Sequence, residues 1–359
     1  MAARAFYLKP TGLLTGAAAA NACADGMAAW LAGGPTAFNS AEVIRRKGTA
    51  RDIAVSALAT LRSCRQRDDV DGSTALEERL RAIAMPRPPF AGLALDRPRL
   101  MGVVNVTPDS FSDGGRYASR EAAIAHGRAL RAAGADILDI GGESTRPGAA
   151  PVSVDEELDR VVPVIETLAT EGALVSIDTR RAGVMRSALA AGARIVNDVT
   201  ALAGDPESLT VLAGSGAAVV LMHMQGEPHT MQQDPVYRDA PLDIYDFFAA
   251  RLAACAAAGI EPVRIALDPG IGFGKRDPHN LAILADLALY HGLGCALLLG
   301  VSRKSFIGRL SRGEDPDHRL AGSLAAALAG VERGVQIIRV HDVAETAQAM
   351  AIRQAIATT

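Results

Sequence analysis

Asn105, Asp178, Asn197 and Asp268 each close a short apolar run of the chain. Taken singly, an aspartate or asparagine in that position reads as the turn or helix-cap residue that commonly follows a strand. Four of them at four separate strand ends ask for more, because buried polar groups are costly unless something pairs with them. Two carboxylates and two amides gathered on one rim suit a flat heterocycle that carries hydrogen-bond donors and acceptors along its edge. Lys304, in Gly300-Val-Ser-Arg-Lys-Ser305, adds a cation at a loop and helix start of the kind that binds anions in barrels. Arg339 and His341 stand two residues apart in an apolar run, so a strand directs both to one side. A rigid guanidinium fork with an imidazole beside it suits phosphate. His223 also closes a strand, but no HxH or HExxH spacing accompanies it, and it reads as structural rather than as a metal ligand. A hard divalent ion would take amide, carboxylate and phosphate oxygens instead.

Two glycine-flanked segments, Thr107 to Gly115 and Gly141 to Gly148, fall beside these residues. The second mixes backbone donors with a hydroxyl and an arginine, in Glu143-Ser-Thr-Arg-Pro147. Loops of this type order around a ligand and exclude water. Phe111 and Phe273 are aromatics in rim loops of a chain with only 4% aromatic residues. They are candidates to stack on an aromatic substrate, with core packing as the other use for such rings.

These residues need elements that bring them to one place. Eight short apolar runs end at Asn105, Asp139, Asp178, Asn197, His223, Asp268, Ser302 and Arg339, and the endpoints recur every 19 to 45 residues, close to one βα unit. The pattern predicts strands near 100–106, 137–140, 174–178, 194–198, 218–223, 264–268, 296–301 and 336–340. Helices are predicted near 119–133, 155–170, 181–191, 206–214, 242–258, 278–291, 318–333 and 343–356. Strict alternation favours a parallel sheet, and eight repeats favour closure into a (β/α)8 TIM barrel over an open sheet. No GxGxxG follows a strand, which argues against a dinucleotide fold. The C-terminal strand ends of such a barrel carry its chemistry, so the eight endpoints should face a common ligand.

Residues 1–86 differ in texture and read as an N-terminal extension, small and helical or α+β in character, ahead of a barrel domain over 87–359. Met85-Pro-Arg-Pro-Pro-Phe90 cannot continue a helix and marks the boundary. Within the extension, 49–67 and 73–84 look helical and 32–38 reads as a turn leading into a short strand. The alanine run after Lys9 and Leu13-Leu14 faintly resembles a secretory signal, but Asn21, Asp25 and glycines interrupt it. The net charge of -3, with both signs mixed, gives no field for nucleic acid or a membrane surface. No stretch approaches the roughly 18 apolar residues that a membrane span requires. The four cysteines are scattered without a CxxC pair, which suits a reducing compartment, and the interrupted signal pattern leaves a cytoplasmic location as the expectation.

From Asn105-Val-Thr-Pro-Asp-Ser-Phe-Ser-Asp-Gly-Gly115 onward the chain resembles the dihydropteroate synthases of the folate pathway. The resemblance continues through Asp139-Ile-Gly-Gly-Glu-Ser-Thr-Arg-Pro-Gly148, Ser176-Ile-Asp178, Asn197-Asp198, Leu221-Met-His-Met-Gln-Gly226, Asp268-Pro-Gly-Ile-Gly-Phe-Gly-Lys275, Ser302-Arg-Lys-Ser305 and Arg339-Val-His-Asp342. It implies condensation of 6-hydroxymethyl-7,8-dihydropterin pyrophosphate with p-aminobenzoate, releasing pyrophosphate with the help of Mg²⁺. By the same resemblance, Asp178, Asn197, Met222, Asp268, Phe273 and Lys304 would bind the pterin. Thr145, Arg146, Arg339 and His341 would hold the pyrophosphate with Asn105, which also neighbours the metal. Phe111, Pro147, Phe273 and Ser305 would receive p-aminobenzoate, where sulfonamides would compete. Asp113 on the first loop would support the metal or the developing cation, and joins Asn105, Lys304, Arg339 and His341 as the catalytic set. The resemblance also implies a homodimer. The other readings are a pterin-binding methyltransferase and a non-catalytic pterin-binding paralogue. Neither has use for a site that binds a leaving group.

Overall fold

A computed structural model of the chain describes residues 6–63, 70–106, 115–143, 152–226, 231 and 233–357. It opens with β1 (Phe6–Thr15), α1 (Gly16–Ala24), β2 (Ala29–Trp30), β3 (Thr36–Lys47), β4 (Ala50–Ala57), α2 (Leu58–Ser63) and α3 (Val70–Ala84). The four strands form one antiparallel sheet, with β1 along one side of β3 and both β2 and β4 along the other. The helix expected over 49–67 is therefore corrected over its first half. Alanine content favours a helix there, yet Gly48, at φ 63, turns the chain back so that β4 pairs with β3 from Lys47↔Ala50 to Ser40↔Ala57. The helix expected over 73–84 is present and starts earlier, and the strand expected near 38 runs on to Lys47. Leu8, Leu31, Phe38, Leu58, Leu61, Leu80 and Ile83 form the extension's own core. Tyr7, next to Leu8 and so on the opposite face of the strand, joins the core of the following barrel.

The barrel strands are β5 (Arg99–Asn105), β6 (Ile137–Gly141), β7 (Val175–Asp178), β8 (Ile195–Asp198), β9 (Ala218–Met222), β10 (Ile265–Asp268), β11 (Ala296–Gly300) and β12 (Ile337–Val340). All eight are parallel and close into a barrel, β12 pairing with β5. The helices α4 (Gly115–Ala132), α5 (Val154–Thr170), α6 (Ala182–Ala190), α7 (Ser208–Ser215), α8 (Ala240–Ala257), α9 (Asp277–Ala285), α10 (Ser305–Leu310), α11 (Leu320–Glu332) and α12 (Val343–Ala357) follow the strands. The six-residue α10 is additional to the eight expected, and the helix expected to reach 291 ends at Ala285 and gives way to a 3₁₀ segment, Leu287–Leu293. Among the described residues no helix is long and apolar enough to cross a membrane.

Strand alternation splits the side chains into two sets. Val104, Ile140, Ile177, Val196, Leu221, Leu267, Leu299 and Ile338 are buried in the layer that also contains helix residues such as Val161, Val184 and Val331. Met101, Ile137, Ile195, Val220, Ala266, Leu298 and Ile337 form a separate interior cluster with Phe90 and Leu95. The apolar filling stops at that level. Farther toward the C-terminal strand ends the interior positions become Asp139, Asp178, Asn197, Asp268 and Arg339, so the polar site rests on a hydrophobic floor.

Candidate active site

Strand register sets the site. Asn105 pairs with Gly141, Gly141 with Asp178 and Asp178 with Asn197, while Asp268 pairs with Met222 and Gly300 with Arg339. Two glycines in this ring keep it open. A Cβ on Gly141 would stand 3.6 Å from Asp178 Cβ and 3.9 Å from Asn105 Oδ1, and one on Gly300 would stand 3.9 Å from both Arg339 Cβ and Asp268 Oδ2. Neither glycine has a positive φ, so space rather than backbone freedom is what they supply.

Arg339 donates through Nε to Asp139 Oδ2 at 2.6 Å and through Nη2 to Asp178 Oδ2 at 2.8 Å. Asn197 Nδ2 donates to the same oxygen of Asp139 at 3.0 Å. The guanidinium has five N–H donors, so two carboxylate contacts leave others for an anionic ligand. Burial drives the Asp178 carboxyl up to about 7, against the pull of Arg339 and with a push from Asp139. Burial likewise raises Asp268, whose Oδ1 accepts from Gly270 N at 2.8 Å. Lys304 Nζ lies 4.0 Å from the centroid of the half-buried Phe273 ring, and burial lowers its ammonium to about 8. A cation on a ring face, with raised carboxyls opposite, is an arrangement poised for a polar aromatic ligand.

His341 takes its orientation from Ser302. The serine Oγ accepts from His341 N at 3.2 Å and lies 3.1 Å from His341 Nδ1. Burial and the charge of Arg339 push the imidazole down to about 3, so it is neutral, and the hydroxyl can share the Nδ1 contact in either direction; where it donates, the ring proton sits on Nε2. The segment holding Ser302 and Lys304 carries a left-handed residue, Arg303 at φ 60, fixed by Arg303 N to Ser323 Oγ at 2.8 Å and by both oxygens of Asp342. Ser305 is exposed at the first turn of α10.

His223 is a structural histidine. Lys275 Nζ, itself buried, reaches His223 Nδ1 at 3.0 Å and the carbonyls of His223 and Phe273 at 3.1 and 2.9 Å. Burial and Lys275 press the imidazole down to about 2. The pair ties the loop after β9 to the loop after β10, beside Met222 and Phe273.

Asp113, Phe111, Thr145, Arg146 and Pro147 lie outside the described residues. Asn105, Asp178, Asn197, Met222, Asp268, Phe273, Lys304, Arg339 and His341 all lie at the C-terminal end of the barrel. Asp139 is the site residue that the sequence reading treated only as a strand end. It is the third of five residues in β6, fully buried and one level below the rim. The signal was present in Leu138-Asp139-Ile140, a charge inside an apolar strand, which needs a counterion.

A closed (β/α)8 barrel whose interior turns from apolar to charged at the C-terminal strand ends defines a barrel enzyme with its reaction centre there. Comparison with known proteins gives the family. A profile described as pterin binding enzyme matches residues 101–341. The dihydropteroate synthase of Escherichia coli K12 is 48% identical over 264 residues, 73% of this chain and 93% of the relative, and that of Neisseria meningitidis serogroup B is 51% identical over 270 residues, 74% and 94%. The Xanthomonas albilineans dihydropteroate synthase structure with 4-aminobenzoic acid superimposes with a TM-score of 0.71 at 49% identity, covering 75% of this chain and 97% of that one. A second structure of that enzyme, in complex with 7,8-dihydropteroate, gives 0.68 at 47% identity, covering 74% and 96%. This chain belongs to the pterin binding enzymes and, within them, to the dihydropteroate synthases.

Proposed function

We propose that the chain joins 6-hydroxymethyl-7,8-dihydropterin pyrophosphate to p-aminobenzoate by a dissociative substitution at the pterin methylene carbon. The observation that carries this reading is the ring of Asp178, Asn197, Asp268, Lys304 and Arg339 around a space kept open by Gly141 and Gly300. The ring matches the edge of a dihydropterin. Asp178 and Asp268, when ionised, accept from the amino and ring N–H donors, and Lys304 donates to the ring oxygen and nitrogen acceptors. Met222 and Phe273 are assigned to pack beside the heterocycle.

The bond between the methylene carbon and the pyrophosphate oxygen breaks, and its electron pair leaves with pyrophosphate. Arg339 and His341, through a proton on Nε2, receive the leaving charge, a role also assigned to Thr145 and Arg146 of the second loop. The electron-rich dihydropterin stabilises the cation left behind. The neutral aniline nitrogen of p-aminobenzoate forms the new carbon–nitrogen bond and then loses its proton. Positioning and electrostatics carry such a reaction, and a protein nucleophile is not needed. The p-aminobenzoate ring is assigned to Phe111, Pro147 and Phe273, with its carboxylate near Ser305. Asp113 is assigned to support of the metal or the developing cation.

A magnesium site fits the residues present. Among the described residues no three His, Cys, Asp or Glu side chains converge to hold a metal by themselves. Asn105 Oδ1, 3.9 Å from where a Cβ on Gly141 would stand, would supply one hard oxygen, and Mg²⁺ characteristically takes the remainder from substrate phosphate and water. When bound there it would neutralise leaving-group charge. The same reading includes a homodimer in the cytoplasm, for which the free Cys23, Cys255 and Cys295 suit a reducing setting. It also includes a division at residue 86 between the extension and the catalytic domain.

The test is pyrophosphate release by purified protein given the dihydropterin pyrophosphate and Mg²⁺. Release that requires p-aminobenzoate and yields dihydropteroate supports the assignment, and tight pterin binding without turnover refutes it.

A further inference from the structure

The family match begins at Met101, so the sheet of residues 6–57 and the helices that cover it lie outside what defines the family. The extension nevertheless grips two acids at the start of α8. Arg51 of β4 donates to both oxygens of Asp239 at 2.6 and 2.7 Å, and its third nitrogen reaches Asp286 at 2.6 Å. Arg46 of β3 donates to Asp243 at 2.7 Å. These acids are not generic surface partners. Asp239 caps α8 through Leu242 N, and Asp243 accepts from the backbone N–H groups of Arg238 and Asp239. The two arginines therefore hold the last residues of the loop that begins at His223.

That loop end is tied to the pterin side of the barrel. Tyr237, two residues before Asp239, donates to the carbonyl of Gly274 at 2.8 Å. Gly274 follows Phe273, over whose ring Lys304 sits, and precedes Lys275. The two loops touch backbone to backbone, since a Cβ on Gly274 would fall 2.3 Å from the Gln225 carbonyl. Gln225 in turn exchanges two 3.0 Å hydrogen bonds with Val236.

We propose that the N-terminal sheet is a brace for the pterin-binding loops, with Arg51 and Tyr237 as positioning residues that act through Asp239 and Gly274 on Phe273 and Lys304. This inference rests on the assigned pterin site and goes beyond it by giving the extension a part in substrate affinity. A bidentate guanidinium fixes direction as well as distance, whereas a lysine in its place would hold charge without the fork.

The experiment uses the full-length chain and the variants Tyr237→Phe, Arg51→Lys and both together. Tyr237→Phe removes one hydroxyl and keeps the ring, which protects the fold. We expect the KM for dihydropterin pyrophosphate to rise about fivefold in each single variant, the scale of one hydrogen bond, with kcat within about twofold. The double variant should cost less than the product of the two, as residues along one route do. Amide hydrogen exchange of segments 233–239 and 270–276, measured without substrate, should quicken in both single variants. A lowered melting temperature with unchanged KM and unchanged exchange would overturn the brace and leave a purely structural interface. Multiplying costs in the double variant would overturn the shared route. Failure of the assigned reaction is seen separately, as a wild-type protein that never forms dihydropteroate, while the exchange measurement still reads the brace.

Discussion

Arg339 Nε stands 2.6 Å from Oδ2 of Asp139, a carboxylate with no exposed surface. The acid lies behind the arginine, on the floor side of the site, and it also accepts from Asn197. It therefore fixes the Arg339 guanidinium and the Asn197 amide at once. Its Oδ1 has no partner among the described residues, so the carboxylate depends on these contacts.

Asp139→Asn tests that dependence. The substitution keeps shape but removes the charge, leaving the guanidinium with a weaker acceptor in a buried setting. Loss of one member of a buried ion pair costs about 3 kcal/mol, and we expect unfolding stability to fall by that order. Turnover should fall about 100-fold in kcat/KM because Arg339 and Asn197 lose their common anchor. Denaturant unfolding and initial rates measure the two effects. Near-wild-type values in both would reduce Asp139 to a packing residue.

The pH profile of kcat/KM should be bell-shaped, with its maximum between about 7 and 8. Asp178 is pushed up to about 7, so lowering the pH protonates a carboxylate assigned to accept from the pterin. Asp268 is raised as well, and the acid limb belongs to the two together. Lys304 is lowered to about 8, so raising the pH removes the charge assigned to the ring acceptors. Lys304→Arg should abolish the alkaline limb, because a guanidinium does not titrate there. A flat profile from pH 6 to 9 would contradict both assignments. Stability carries the opposite sign for Asp178. Its folded form holds a proton that the unfolded chain releases, so this contribution declines as pH rises from about 4 to 7.

Gly141→Ala separates space from stability. The new methyl would make ordinary van der Waals contacts with Asp178 and Asn105, and the backbone at 141 is not left-handed. The folded protein should keep its melting temperature or gain slightly, up to about 1 kcal/mol, as alanine does at compatible positions. Affinity for the dihydropterin pyrophosphate should fall at least about tenfold, since the methyl occupies ligand space. Calorimetric titration beside thermal unfolding decides it. Lost stability with intact affinity would show that Gly141 serves packing alone.

Much of this site is legible in the sequence. Strand periodicity placed the eight barrel strands within a residue or so at each end, because alternating β-branched runs and alanine-rich helices are local signals. Asp178, Asn197, Asp268 and Arg339 declared themselves as polar groups closing apolar strands. Asp139 is legible as one of the eight endpoints but not as the counterion of Arg339, because only the closed sheet brings residues 139 and 339 together. The extension misled for a related reason. Residues 50–57 have the alanine content of a helix, and their strand state comes from pairing with β3, a tertiary choice. The grip of Arg51 on Asp239 spans 188 residues and has no sequence signature.

Ser302→Ala should separate orientation from charge at the leaving-group end of the site. The serine hydroxyl accepts from the His341 backbone, and we expect it to donate to Nδ1, a direction that would put the ring proton on Nε2. Alanine removes the selection, and the neutral ring then divides between two tautomers, one of which offers pyrophosphate a lone pair instead of a donor. We expect kcat/KM to fall about tenfold, the value of one donor to a charged oxygen, while stability changes by no more than about 1 kcal/mol. Nitrogen NMR of His341 in the free protein supplies the independent reading. The wild-type ring should show one protonated nitrogen, Nε2, unchanged down to about pH 5, because burial holds its acid form to about 3. The variant should show exchange between tautomers. A wild-type ring that already samples both, or one that gains a second proton near pH 6.5, would remove the serine from this role and return His341 to an ordinary titrating side chain.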